Sequence, residues 1–232
     1  MTTSEPSVGA RHRAFSLAGL LGLFVVAWTV RVLLESRLPD AGEHPLGYQL
    51  VAQPIRLAVW GLLPWLWCRA VDDEPLRAAW GRWRGARRTI VAALLGIGYV
   101  VVSRATEVMS GGAWFGGTGP KLAGGGAWAA ALIGLAGPVV LEEYLFRGIV
   151  FRRLADLLPT AAAVVVSSLA FAAAHLPGWL ILGHGQGPRI LWLAGSVTLL
   201  GCLLALLYRA SGTLAVPMAV HAANNILSGW RL

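Results

Sequence analysis

Seven stretches of this chain are apolar enough, and close enough to 20 residues long, to cross the hydrocarbon core of a bilayer. They run roughly over 14–34, 48–68, 89–109, 127–158, 160–182, 190–208 and 213–230. That feature leaves few folds open. Backbone polar groups in lipid must be satisfied within the chain, so long apolar runs become helices and the helices bundle. Composition agrees. Of 232 residues, 56% are hydrophobic and 13% are charged, where a soluble domain carries about 25% charged residues. Mean hydropathy is +0.65. We expect an all-α, polytopic membrane helical bundle of about seven transmembrane helices, forming a single membrane domain over residues 1–232.

The first run follows a basic start, ARHRAF, as a signal peptide would. Its apolar core is long and no small-x-small cleavage site precedes Arg31, so it reads as an uncleaved helix. The net charge of +8 comes almost wholly from arginine, with Lys121 the only lysine. On one side of the alternating spans lie Arg11, Arg13, Arg69, Arg77, Arg82, Arg84, Arg87, Arg88, Arg152, Arg153 and Arg209. On the other lie Arg31, Arg37, Arg104, Lys121, Arg189 and Arg231. The excess puts the N-terminus in the cytoplasm and the C-terminus outside. Most of it sits in GRWRGARR, a loop that can also meet anionic headgroups. Because the arginines fall in short loops between apolar runs, topology explains the basic balance and nucleic acid is not an expected partner.

Two cysteines, Cys68 and Cys202, form no CxxC pair and read as packing residues. The glycine-rich stretch 111–126, GGAWFGGTGPKLAGGG, lacks the GK[ST] of a phosphate cradle. It reads as an external loop with Trp114 and Phe115 at the interface.

Ionisable groups inside a bilayer are rare and mark function by default. Here they are Arg56 in 48–68, Glu142, Glu143 and Arg147 in 127–158, His175 in 160–182, and His221 with Asn224 and Asn225 in 213–230. Arg31 and Arg104 lie near the ends of their runs, where they can snorkel. Glu143 and Arg147 are four apart and share a helix face, so they read as a structural pair. Glu142 is turned about 100° away and is left over; a purely structural reading would pair it with Arg56. Pro159 and Thr160 break the chain midway between Glu142 and His175. If both arms are helical, the two residues return to one depth, about 24 Å from the turn. His221 and Asn225 share a face of the last run, again at mid-depth.

Glu, His, His and Asn on three helices fit hydrolysis. A glutamate in apolar surroundings exchanges protons near neutral pH. A water held between Glu142 and His175 can lose a proton and attack a carbonyl, while His221 and Asn225 donate hydrogen bonds to the resulting oxyanion. Alternatively Glu142, His175 and His221 hold zinc, two imidazoles and a carboxylate being a catalytic ligand set with an open position. The other function class is a non-catalytic membrane protein, either a proton or ion transporter or a scaffold, since buried carboxylates and histidines also make proton relays. A transporter more often shows inverted repeats, and none is evident here.

EEYLFR reads as EExxxR, FAAAH (Phe171 to His175) as FxxxH, and HAANN (His221 to Asn225) as HxxxN. In this order, on hydrophobic helices, the trio resembles the CAAX-prenyl-protease and bacteriocin-processing (CPBP, ABI-type) family of intramembrane proteases, over about residues 127–230. The resemblance implies that 127–230 hold the catalytic helices and 1–126 hold accessory helices and the glycine-rich loop. It implies that Glu142, with His175, activates water. It implies that Glu143 and Arg147 brace the motif, that Phe171 belongs to it, and that His221 and Asn225 stabilise the oxyanion or serve as ligands. Members have been described both as zinc enzymes and as metal-free, glutamate-dependent ones; we lean to metal-free, with no cofactor. The substrate implied is a membrane-embedded or membrane-tethered peptide or protein. Arginine-, alanine- and glycine-rich composition suggests bacterial, GC-rich coding. Bacteriocin maturation, self-immunity or sorting of proteins with a C-terminal membrane tail is then expected before prenyl-CAAX cleavage, in a multi-pass protein of the inner (plasma) membrane.

Overall fold

The computed structural model describes residues 8–37, 45–109, 137–182 and 187–229. Every regular element among them is helical. The chain runs through α1 (Val8–Glu35), α2 (Pro45–Leu57), a π-helical turn over Ala58–Leu62, α3 (Leu63–Val71) and α4 (Ala86–Met109). It continues through α5 (137–143), a π-helical segment Tyr144–Phe151, α6 (Arg152–Leu157), α7 (Thr160–Ala173), α8 (Leu176–Ile181), α9 (Pro188–Ser211) and α10 (Ala215–Gly229). Each apolar run thus corresponds to a helical stretch, though residues 127–136 lie outside the described ones. So do the glycine-rich loop 111–126 and the boundary at 126/127.

Among the described residues, four stretches are long and apolar enough to cross a membrane: Arg11–Glu35, Ala86–Thr106, Thr160–Ile181 and Pro188–Ser211. The runs outside this set are the ones that carry Gln49, Gln53 and Arg56, then Glu142, Glu143 and Arg147, then His221 and the two asparagines. A charged side chain at the centre of a lipid-exposed helix costs roughly 2.5–3.5 kcal/mol even on insertion scales. The charge-bearing helix is therefore sheathed, and every residue from Tyr144 to Phe151 is buried.

The sheath begins with α1. Leu17, Leu20, Phe24, Trp28 and Val32, spaced three or four apart, form one buried face. An aromatic chain crosses the bundle from there. Ring centroids are 4.9 Å apart for Phe24–Trp60, 5.8 Å for Trp60–Phe146 and 5.1 Å for Phe146–Phe171, all near edge-on, the arrangement that aromatic quadrupoles favour. Trp28 donates its indole N–H to the carbonyl of Ala174 at 2.7 Å. On the far side, α4, α9 and α10 close a second core around Val100, Leu200, Leu204 and Val220. Helices α7 and α9 approach closely because Gly201 faces Ser168; a methyl on Gly201 would stand 2.9 Å from the Ser168 Cβ.

Two arginines differ from their sequence reading. Arg31 does not snorkel: it is buried, ion-paired with Glu35 and set 4.5 Å from the Trp28 ring centroid. A full carboxylate one turn away and an aromatic face replace the water that its end position would have offered. Arg153, read as a loop charge, is also buried. It meets Asp72 at 2.7 Å and Glu74 at 3.0 Å, and donates to Ser16 at 3.3 Å. Arg152 pairs with Glu74 as well. This network ties α1 and the α3–α4 connection to α6, at the end of the bundle where the arginine-rich loops gather.

Two substitutions test the sheath. Trp28→Phe keeps the ring but strands the Ala174 carbonyl, and should cost about 1–3 kcal/mol, read as a lower thermal midpoint in detergent. Arg153→Leu removes the partner of two carboxylates that retain some water. Its cost should be about 2 kcal/mol, below the 3–5 kcal/mol of a fully sealed pair.

Candidate active site

The site grows from one carboxylate. Glu143 is 0% exposed and Arg147, one turn on, is 2% exposed. Glu143 Oε1 accepts from Arg147 Nη1 at 2.9 Å and from His221 Nδ1 at 2.7 Å. The i,i+4 spacing of the first pair lies in the sequence; the second joins α10 to the charge-bearing helix across 78 residues. Arg147 Nη2 reaches the Gly201 carbonyl on α9 at 3.4 Å, and its guanidinium carbon stands 4.3 Å from the Phe171 ring centroid on α7. The second oxygen of Glu143 is buried with no hydrogen-bond partner among the described residues.

Glu142 is more open. Its Oε2 lies 3.7 Å from His221 Nε2, and its side chain keeps 14% of its exposure. The histidine nearest to Glu142 is thus His221. His175, expected to share its depth across the Pro159 turn, lies within electrostatic range of Glu142. The hairpin forms as the spacing predicts, with Leu158 and Pro159 extended between α6 and α7. The helix through 160–182, however, breaks after Ala173, and His175 sits in the turn that caps α8. Pro177, in the first turn of α8, is the local signal for that break, because its ring disfavours helix at the residue before it and its nitrogen cannot donate. Arg56 does not take the partner role considered for it; it lies within electrostatic range of Arg31.

The two histidines are held alike. His175 Nδ1 lies 2.8 Å from the Phe171 carbonyl, and His221 Nδ1 faces the Glu143 carboxylate. Both partners only accept, so both Nδ1 atoms carry hydrogen and donate it. Nε2 is the nitrogen left for chemistry on each ring. Phe171 separates them, its ring edge-on to both at 4.9 Å from His175 and 5.9 Å from His221. Trp179, at 5.5 Å, packs against the outer side of His175. Asn225 lies one turn beyond His221 on α10 and is half-buried.

As metal ligands, these residues fit in kind. Each histidine has its Nδ1 engaged and its Nε2 available, the arrangement that orients histidines on metal ions, and Glu142 supplies a carboxylate. Among the described residues, no three His, Cys, Asp or Glu side chains are grouped to hold one ion.

Three contributors escape a reading of motifs. Trp28 bonds the carbonyl next to His175 from 146 residues away, with no local signal. Gly201 offers Arg147 a backbone oxygen. Trp179 follows His175 by four, a spacing that marks it only once His175 is suspected.

Residues 124–227 match the family described as type II CAAX prenyl endopeptidase, Rce1-like. No curated protein and no solved structure matches the chain. The matched stretch holds Glu142, Glu143, Arg147, Phe171, His175, His221 and Asn225, and leaves out α1 to α4. Over residues 124–227, which carry the whole candidate site, the chain is similar to the type II CAAX prenyl endopeptidase Rce1-like family.

Proposed function

We propose that the chain is an intramembrane endopeptidase that hydrolyses a peptide bond of a membrane-embedded or membrane-tethered protein or peptide. The observation that carries the reading is the contrast between the two glutamates. Glu143 is spent on Arg147 and His221, whereas Glu142 faces the free Nε2 of His221 in the more open part of the cluster. In this reading Glu142, with His175, takes a proton from water. The hydroxide attacks the scissile carbonyl carbon. The oxyanion accepts hydrogen bonds from the Asn225 amide and from His221 Nε2 when that nitrogen is protonated. The proton on Glu142 then passes to the leaving amine.

The mechanism is proposed as metal-free. If zinc is present, Glu142, His175 and His221 are its ligands, and it supplies an acidified water. As to substrate, the family description names a prenylated CAAX tail, while the sequence resemblance adds bacteriocin-type peptides, immunity and C-terminally anchored proteins. All share one trait, a cleavage site held near the membrane by its own anchor.

Comparing the termini of membrane proteins from cells that express the wild type or Glu142→Gln tests the reading and names the substrate. New termini should appear with the wild type and fall 10²–10⁴-fold in rate with Glu142→Gln, and His175→Ala should behave likewise. Cleavage that persists in both variants ends the assignment. Proton flux in proteoliposomes that needs Glu142, without proteolysis, would point to a transporter instead. Glu143→Gln has a different signature. It leaves a buried guanidinium without its counter-charge and should cost about 3–5 kcal/mol of stability, so the protein should fail to accumulate. Metal analysis separates the two chemistries: a metal-free site keeps its activity under chelation, while one zinc per chain with loss on chelation reverses that choice.

A further inference from the structure

The connection between α3 and α4 carries charge that no other described residue answers. Its three acids are taken: Asp72 and Glu74 by Arg153 and Arg152, and Asp73 by Arg69. From Pro75 to Thr106 there is no further acid. Arg82, Arg84, Arg87 and Arg88 are exposed, and among the described residues none of the four makes an ion pair. Arg209 ends α9 at the same end of the bundle, adding to the same sign.

The surface is also held in place. Gly81 and Gly212 adopt φ values of +79° and +73°, and their backbones press together so closely that a methyl on Gly212 would collide with the Arg82 carbonyl. Arg84 N–H donates to the Ser211 carbonyl at 2.9 Å, and the Tyr208 hydroxyl donates to the Ala79 carbonyl at 3.1 Å. Trp83, 64% exposed, is pinned by its indole N–H on the Thr89 hydroxyl at 2.7 Å. Such a fixed display of like charges costs repulsion and needs a partner of opposite sign.

Position decides which partner. The membrane-length window of α4 begins at Ala86, so Arg87 and Arg88 stand at headgroup height. Trp83 lies beside them, as an aromatic belt residue would. A soluble polyanion would have to be brought to this surface, whereas the phosphates of a leaflet are already there.

We propose that Arg82, Arg84, Arg87 and Arg88, framed by Trp83, form a docking surface for the headgroups of anionic phospholipids. Occupancy braces the α9–α10 turn that leads to His221. The surface also touches the catalytic helix, since a methyl on Gly148, next to Arg147, would stand 2.9 Å from Ala79. The proposal concerns binding and holds whether or not the chain is a protease.

The test uses the full chain in nanodiscs of phosphatidylcholine, alone or with increasing phosphatidylglycerol, and reads the thermal midpoint, because a ligand of the folded state raises it. The midpoint should climb with phosphatidylglycerol and the gain should collapse near 1 M salt, where screening shortens to about 3 Å. Each arginine near such a surface strengthens binding about fivefold. Arg82→Gln with Arg84→Gln, which leaves Arg87 and Arg88 to fix orientation, should therefore need about 25-fold more anionic lipid for the same gain. Arg82→Lys with Arg84→Lys should need no more than the wild type, and Arg189→Gln at the other end should behave as the wild type. If the glutamine pair does not fold, the lysine pair and the salt series still decide. The proposal is overturned by a midpoint indifferent to phosphatidylglycerol, by a gain that survives high salt, by an equal gain from inorganic phosphate, or by a glutamine pair that titrates like the wild type.

Discussion

A single carboxylate oxygen, Oε1 of Glu143, sets the arrangement of the half of this protein that holds the candidate site. It receives a guanidinium from its own helix and an imidazole from the last helix. In low dielectric these contacts are obligatory rather than optional, because an unanswered buried charge costs several kcal/mol. Arg147 passes the constraint on, to the backbone of α9 through Gly201 and to the face of Phe171 on α7. Four helices are thereby referenced to one atom. Glu142, His175 and the free edge of His221 are exposed to each other because their neighbours are fixed.

Much of this was legible in the sequence, and the parts that were share a cause. Apolar length marked the helices, and polar residues inside apolar runs marked the site, since the bilayer penalises both short spans and stray charges. Local spacing paired Glu143 with Arg147, and Pro159 set the hairpin. The unreadable parts are non-local. Nothing near His221 says that it hydrogen-bonds to Glu143 rather than standing opposite Glu142 alone. Arg31 and Arg153 stand where snorkelling or solvation is the economical reading, and only the folded neighbours, Glu35 for one and Asp72 with Glu74 for the other, reverse it. The break at His175 was signalled by Pro177, a signal outweighed by the unbroken apolar run around it.

The region before the matched stretch is more than an appendage. Phe24 of its first helix and Trp60, between α2 and α3, supply two of the four rings in the chain that ends on Phe171, and Trp28 holds the carbonyl beside His175. The α3–α4 connection closes the opposite end against α6 and the α9–α10 turn. The family-matched helices thus carry the candidate site residues, while the earlier helices pack against them and hold the depth at which those residues meet.

The distance along the chain between Glu143 and His221 bears on how such a protein is made. A ribosome adding about 5–20 residues per second needs about 4–16 s to cover those 78 residues. In the later part of that interval Glu142, Glu143, Arg147 and His175 have all been synthesised while His221 has not. The nascent chain is then an incomplete hydrolase, in the reading favoured above, surrounded by other unfolded membrane segments entering the same bilayer. Delivering the last polar group on the last helix delays competence until the enclosing walls exist. In that reading, the order of synthesis itself acts as the safety catch.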